Sequence, residues 1–137
     1  MQWSIAFDDY IEVLHATVSG EVTAEGFKAL QAELLVESKC RDLYRCLCDC
    51  RNAGVRMTLA EANALPRQLR AMGMASYCLV AVVYSDGPDV TPLFQAFDER
   101  CDNAGLSQKA FADYDEACEW LIGMDLSTVS NPMHIML

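Results

Sequence analysis

The chain has 137 residues, 53% of them hydrophobic, with 20 acidic against 10 basic side chains and a formal charge of −10. That length suits one domain with one core, and that hydrophobic share argues against disorder. The negative field repels polyphosphate backbones and anionic bilayers, and no apolar run reaches the ~20 residues of a membrane helix, so neither a nucleic-acid partner nor a membrane span is expected.

Trp3, Ile5 and Phe7 alternate with Gln2, Ser4 and Ala6, the period of a strand with one apolar face. Asp8-Asp9 supplies a turn, and residues 10–18 read as a second strand, which makes an antiparallel hairpin. After Gly20, the spacing of Phe27, Leu30 and Leu34 predicts a first helix with Thr23 as its N-cap. Residues 43–50 form an apolar run short enough to prefer strand over helix, with RNAGVRM after it read as a loop.

Thr58 and Glu61 have capping-box spacing and predict a second helix, which Pro66 should kink or break near Leu65 and Gly73 should end. Residues 77–84, YCLVAVVY, are apolar at both parities, as in a strand covered on both faces. Thr91-Pro92 reads as the N-cap and first position of a third helix ending at Gly105, with Leu93, Phe94, Phe97, Cys101 and Ala104 on one face. KAFAD, residues 109–113, reads as a last strand; Asp113 and Glu116 then cap a helix lined by Ala117, Trp120, Leu121 and Met124. The expected organisation is a single α/β domain over residues 1–123 followed by a tail over 124–137. Its sheet should be mostly parallel, with about five strands, about four helices and an antiparallel edge hairpin.

Cys46, Cys48 and Cys50 alternate along the third strand. Residues two apart on a strand lie roughly 6.6 Å apart, whereas thiolates on one zinc must sit within about 4 Å of each other and a disulfide needs Cβ atoms at ~4 Å. The three therefore read as core residues, with no metal and no cofactor expected. Cys50, at the expected strand end beside Arg51, is the one candidate for an exposed, reactive thiol, and it supports the alternative of a thiol-dependent enzyme or redox protein. The opening MQWSIAFDDY lacks export-signal features, and seven cysteines is an odd number, so a cytoplasmic location is expected.

GEVTAEGFKAL, the strand CLCDC with its loop and capped helix, and FADYDEACEWL together resemble the SpoIIAA-like or STAS superfamily over residues 1 to about 123. That group includes bacterial anti-sigma-factor antagonists, the cytoplasmic domains of sulfate transporters and many SpoIIAA-like proteins without an assigned role; CRAL-TRIO lipid-binding domains have been grouped nearby. The resemblance implies a non-enzymatic regulatory or binding module whose partner is another protein or a small anionic or lipid-like ligand. In phospho-regulated members a strand ends in aspartate and a DSSG-type serine follows at the next helix start. Here Asp49 stands at the strand end and Thr58 near the serine position, as candidate phosphoacceptor, while Met57 and Leu59 depart from the motif.

From the residues themselves, a helix N-terminus favours an anion, and ligands of open α/β sheets gather beyond the carboxyl ends of strands. The candidate ligand edge therefore comprises Asp49, Arg51, Asn52, Arg56, Thr58, Ser85 and Asp86. Thr58 reads first as a plain N-cap, since the capping box explains both Thr58 and Glu61. His15 has no catalytic partner placed near it by the sequence, and no catalytic residue is assigned. A progressive strand order would put all helices on one side and leave an apolar face to be covered in a homodimer.

Overall fold

The computed structural model describes residues 1–123. Five strands, β1 (Gln2–Asp8), β2 (Val13–Val22), β3 (Arg45–Val55), β4 (Leu79–Val83) and β5 (Ser107–Phe111), form one sheet in the order β1-β2-β3-β4-β5. The β1–β2 pair is antiparallel and the others are parallel. Helices α1 (Ala24–Arg41), α2 (Leu59–Ala71), α3 (Thr91–Ala104) and α4 (Tyr114–Gly123) complete the expected α/β architecture.

Strand parity divides the core in two. Leu14, Ala16, Val18, Cys46, Cys48, Cys50, Val80 and Val82 face α1, α2 and α3 and pack with Phe27, Leu30, Leu34, Leu65, Leu69, Phe94 and Phe97. The opposite parity, Val13, Leu47, Leu79, Ala81, Val83 and Phe111, is covered by Ala117 and Leu121 of α4. The progressive order does place three helices on one side, but α4 folds back across the other. What α4 leaves open over β1 and β2 is polar: Gln2, Ser4, Thr17 and Ser19 are exposed there. The face expected to need a dimer partner is thus an apolar half under α4 and a polar half.

Helix ends follow from local chemistry. Thr23 Oγ1 accepts from Gly26 N at 3.0 Å, and Gly105 closes α3 at φ 73°, a left-handed conformation that costs glycine little. Asp113 Oδ1 accepts from the backbone N–H groups of Asp115 and Glu116 at 2.8 and 3.1 Å, starting α4.

Several boundaries differ from the sequence expectation. Residues 10–12 belong to the turn, with Glu12 at φ 56°, so β2 starts later and runs to Val22. β3 does not stop at Cys50 but continues through RNAGV to Val55. That segment lacks an apolar run because it lies in a two-stranded ribbon with β2, beyond the reach of the rest of the sheet. α2 runs unbroken through Pro66, whose ring is buried with Leu65 and Leu69. Thr91 is the first helical residue of α3 and not its N-cap, a position held by Val90 without a side-chain bond. β5 begins two residues earlier than expected. The expected contribution of Met124 and the tail over 124–137 lie outside the described residues.

Candidate functional site

The carboxyl end of the sheet is built around β3. Asp49 pairs with Val83, the last residue of β4, and with Thr17 of β2; then Ser19 pairs with Asn52. Three steps of β3 therefore oppose two of β2, a β-bulge that bends the strand and re-aims the side chains at Cys50 and Arg51. Past Asp49 no described strand pairs with the β4-side edge of β3, and the β2–β3 ribbon projects alone as far as Val55.

The bulge folds Arg51 back onto Asp49. Arg51 Nε and Nη2 donate to the two carboxylate oxygens at 2.9 and 2.8 Å, and the Arg51 backbone N–H donates to Oδ1 at 3.2 Å. These Arg51 side-chain bonds hold the Asp49 carboxyl below the ordinary carboxylate range against the opposing effect of burial. The guanidinium also lies 4.5 Å from the centroid of the Tyr114 ring, a cation–π contact. Tyr114 Oη is 3.3 Å from His15 Nε2, and His15 Nδ1 is 3.5 Å from Thr17 Oγ1. A chain Asp49–Arg51–Tyr114–His15 thus runs along the α4 side of the sheet.

Sequence reasoning weighed His15 only as a residue without a catalytic partner and missed Tyr114, which lies 99 residues away and carries no local motif. The alternation of His15 and Thr17 on β2 was the one available signal.

The other expected edge residues have separate roles. Ser85 Oγ donates to the Arg51 carbonyl at 2.9 Å, closing the loop after β4 onto the bulge. Asp86 Oδ1 accepts from Thr91 Oγ1 at 3.1 Å, and that hydroxyl accepts from Gly87 N at 3.2 Å, so Asp86 organises the entry to α3. Asn52 and Arg56 are exposed along the ribbon, and the Arg56 backbone N–H donates to Val22 O at 2.8 Å. Thr58 is exposed at the α2 N-cap, its hydroxyl accepting from Glu61 N at 3.1 Å while Glu61 Oε1 accepts from Thr58 N at 2.8 Å.

Asp49 and Arg51 face α4, whereas α2 packs on the opposite face with the cysteines. Asp49 therefore faces α4, whereas Thr58 caps α2, a helix of the opposite layer.

The capping box makes a defined expectation. Thr58→Ala should destabilise the domain by about 1 kcal/mol in urea denaturation, and Thr58→Ser should restore most of that. Equal midpoints for all three proteins would show that the cap contributes nothing.

An apolar crevice beside the ribbon is lined by Val22, Val55, Met57, Leu65, Phe94 and Phe97, among others, and its volume of about 10 Å³ has room for at most one water. Cys50 is 2% exposed, and burial followed by the neighbouring Asp49 charge pushes its thiol up to about 12. It is a core residue, not the exposed thiol that a strand end at Cys50 would have allowed. All seven cysteines are free, and no metal-binding group of His, Cys, Asp or Glu occurs among the described residues. No helix among them is long and apolar enough to cross a membrane.

No family model and no curated protein matches the chain. Among solved structures it is similar to an uncharacterized DUF3478-family protein with a SpoIIAA-like fold from Shewanella loihica PV-4. The two are 18% identical over 88% of this chain and 92% of that one, with a TM-score of 0.49. It is also similar to the anti-sigma factor antagonist SpoIIAA in its unphosphorylated form, 13% identical over 90% of this chain and 100% of that one, with a TM-score of 0.49. At such identities the likeness concerns the fold alone. The five-stranded mixed sheet with an antiparallel hairpin and four helices is the α/β architecture expected from the sequence.

Proposed function

We propose that this domain is a non-enzymatic regulatory or binding module of the STAS type that engages another protein in the cytoplasm through the carboxyl edge of its sheet. The observation that carries the reading is the β3 overhang. Residues 52–55 extend past the last β4 pairing, so one edge of that segment meets no described strand and is available to an extended partner segment. Exposed Asn52, Arg56, Thr58 and Leu59 surround it.

A thiol-enzyme reading is weakened by the burial of Cys50, which keeps its sulfur protonated at neutral pH. An anionic ligand at the α2 N-terminus is the lesser version of the binding reading, because Thr58 N and Glu61 N already bond the capping-box side chains. A lipid-like ligand is disfavoured by the small crevice.

The test is proximity labelling in the native cell with three proteins: wild type, an Arg56→Glu/Leu59→Asp edge variant, and a Glu119→Gln control on α4. Proteins labelled by wild type and control but lost with the edge variant are the expected result. Identical labelling by all three would remove the edge as the binding surface.

A further inference from the structure

On the outer side of the helical layer, α2 and α3 lie against each other and form a groove lined by Asn63, Arg67, Arg70, Arg100, Asn103 and Ala104, with a volume of about 200 Å³. Three of the ten basic residues of a chain with net charge −10 meet here, and no lining residue is acidic. Helical spacing explains the convergence: Asn63, Arg67 and Arg70 stand at i, i+4 and i+7 on α2, while Arg100, Asn103 and Ala104 stand at i, i+3 and i+4 on α3.

Three of the seven cations outside the groove are ion-paired among the described residues. Lys28 meets Glu25 at 2.8 Å, Arg41 meets Glu37 at 3.5 Å and Arg51 meets Asp49 at 2.8 Å. In the groove, Arg70 Nη1 donates to the carbonyls of Ala104 and Gly105, both at 3.1 Å, which fixes one guanidinium on the carboxyl end of α3. Arg67 and Arg100 make no hydrogen bond or ion pair among the described residues. Three like charges around one groove repel each other unless an anion joins them, and guanidinium groups match phosphoryl oxygens with two parallel donors each. The amides of Asn63 and Asn103 add neutral donors on either wall.

We propose that this groove binds a small phosphoryl-bearing anion, with Arg67 and Arg100 as its principal ligands and Arg70 as the fixed wall. The size of the groove and the net charge of the chain set the class. A long polyanion would meet the negative field of the rest of the surface, whereas a compact one is held inside the positive groove within about one Debye length, ~8 Å at physiological salt. The site is separate from the β3 edge, so its fate does not depend on the partner proposed there.

The probe is inorganic pyrophosphate, titrated into uniformly labelled full-length protein at 150 mM NaCl and followed by amide and arginine Nε–Hε resonances. Saturable shifts confined to Asn63, Arg67, Arg70, Arg100 and Asn103 are expected, with at least a tenfold loss of affinity in Arg67→Gln/Arg100→Gln. Both positions are exposed and unpaired among the described residues, so the variant should keep the wild-type spectrum elsewhere and its thermal midpoint. Orthophosphate and a nucleoside triphosphate form parallel arms that separate a bare phosphoryl requirement from a larger ligand. The absence of saturable shifts with all three probes, or binding unchanged in the double variant, would overturn the proposal.

Discussion

The domain should lose stability steeply above pH 9, and a main cause lies in the three alternating cysteines of β3, with buried Cys78 and Cys101 acting in the same direction. Cys46, Cys48 and Cys50 are 2%, 0% and 2% exposed against α1 and its neighbours. Burial pushes the thiols of Cys46 and Cys50 from 9.0 up to about 12, and that of Cys48 well above its ordinary value. An acid raised in the native state favours its neutral form there. Its contribution is fully present below pH 9, where both states hold the proton, and is lost as the pH rises from 9 towards 12 and only the unfolded chain ionises.

Each such thiol costs about 1.4 kcal/mol per pH unit, or roughly 2 kcal/mol between pH 9 and 10.5. Cys46 and Cys50 together amount to roughly 4 kcal/mol, a large share of the ~5–15 kcal/mol typical of a domain, and Cys48 acts in the same direction. Urea denaturation under reducing conditions at intervals from pH 8 to 10.5 would measure the slope, and Cys48→Ala should reduce it by about one proton. A flat profile across that range would mean that the sulfurs are not sealed in the core.

The same strand marks how far the sequence could be read. The shortness of the apolar run told strand from helix in residues 43–50, and the distance between alternate positions on a strand gave the buried role to the cysteines, since both are local properties of the chain. It could not show that β3 goes on through Arg51–Val55, since the ribbon there is exposed on one side and its pairing with β2 is set by a bulge. The capping box at Thr58 and Glu61 was legible for the opposite reason, being entirely local.

The expected break at Pro66 does not occur: α2 continues through it, with its ring buried beside Leu65 and Leu69, so tertiary packing overrides the local penalty. At the candidate edge, Asp49, Arg51 and Ser85 were brought together as expected. The partition of Asp49 and Thr58 between opposite layers, and the meeting of Arg51 with Tyr114 and His15, depend on where α4 returns. No local pattern encodes that return. The arginine groove was equally hidden, because Arg67 and Arg100 become neighbours only when α2 and α3 pack.

A second large effect is expected at Gln31 and Gln108, an amide pair buried at 0% and 4% exposure between α1 and β5. Each Nε2 donates to the other Oε1 at 2.7 Å, so the two side chains satisfy each other across 77 residues of sequence. Gln31→Leu would leave one donor and one acceptor of Gln108 stranded in the core, at about 1–3 kcal/mol for each group that finds no water. Gln108→Leu would strand Gln31 in the same way. The double variant Gln31→Leu/Gln108→Leu removes both polar ends together and should return close to wild-type stability, or exceed it.

A double-mutant cycle in urea would therefore report a coupling of roughly 2 kcal/mol or more, and additive single losses, within about 0.5 kcal/mol, would show that the pair is not mutually dependent. The pair links α1 to β5, the far strand of the sheet, through two directional hydrogen bonds that fix their relative position. The leucine variant should accordingly keep its stability while the resonances of α1 broaden, which separates what the amides add to uniqueness from what they add to free energy.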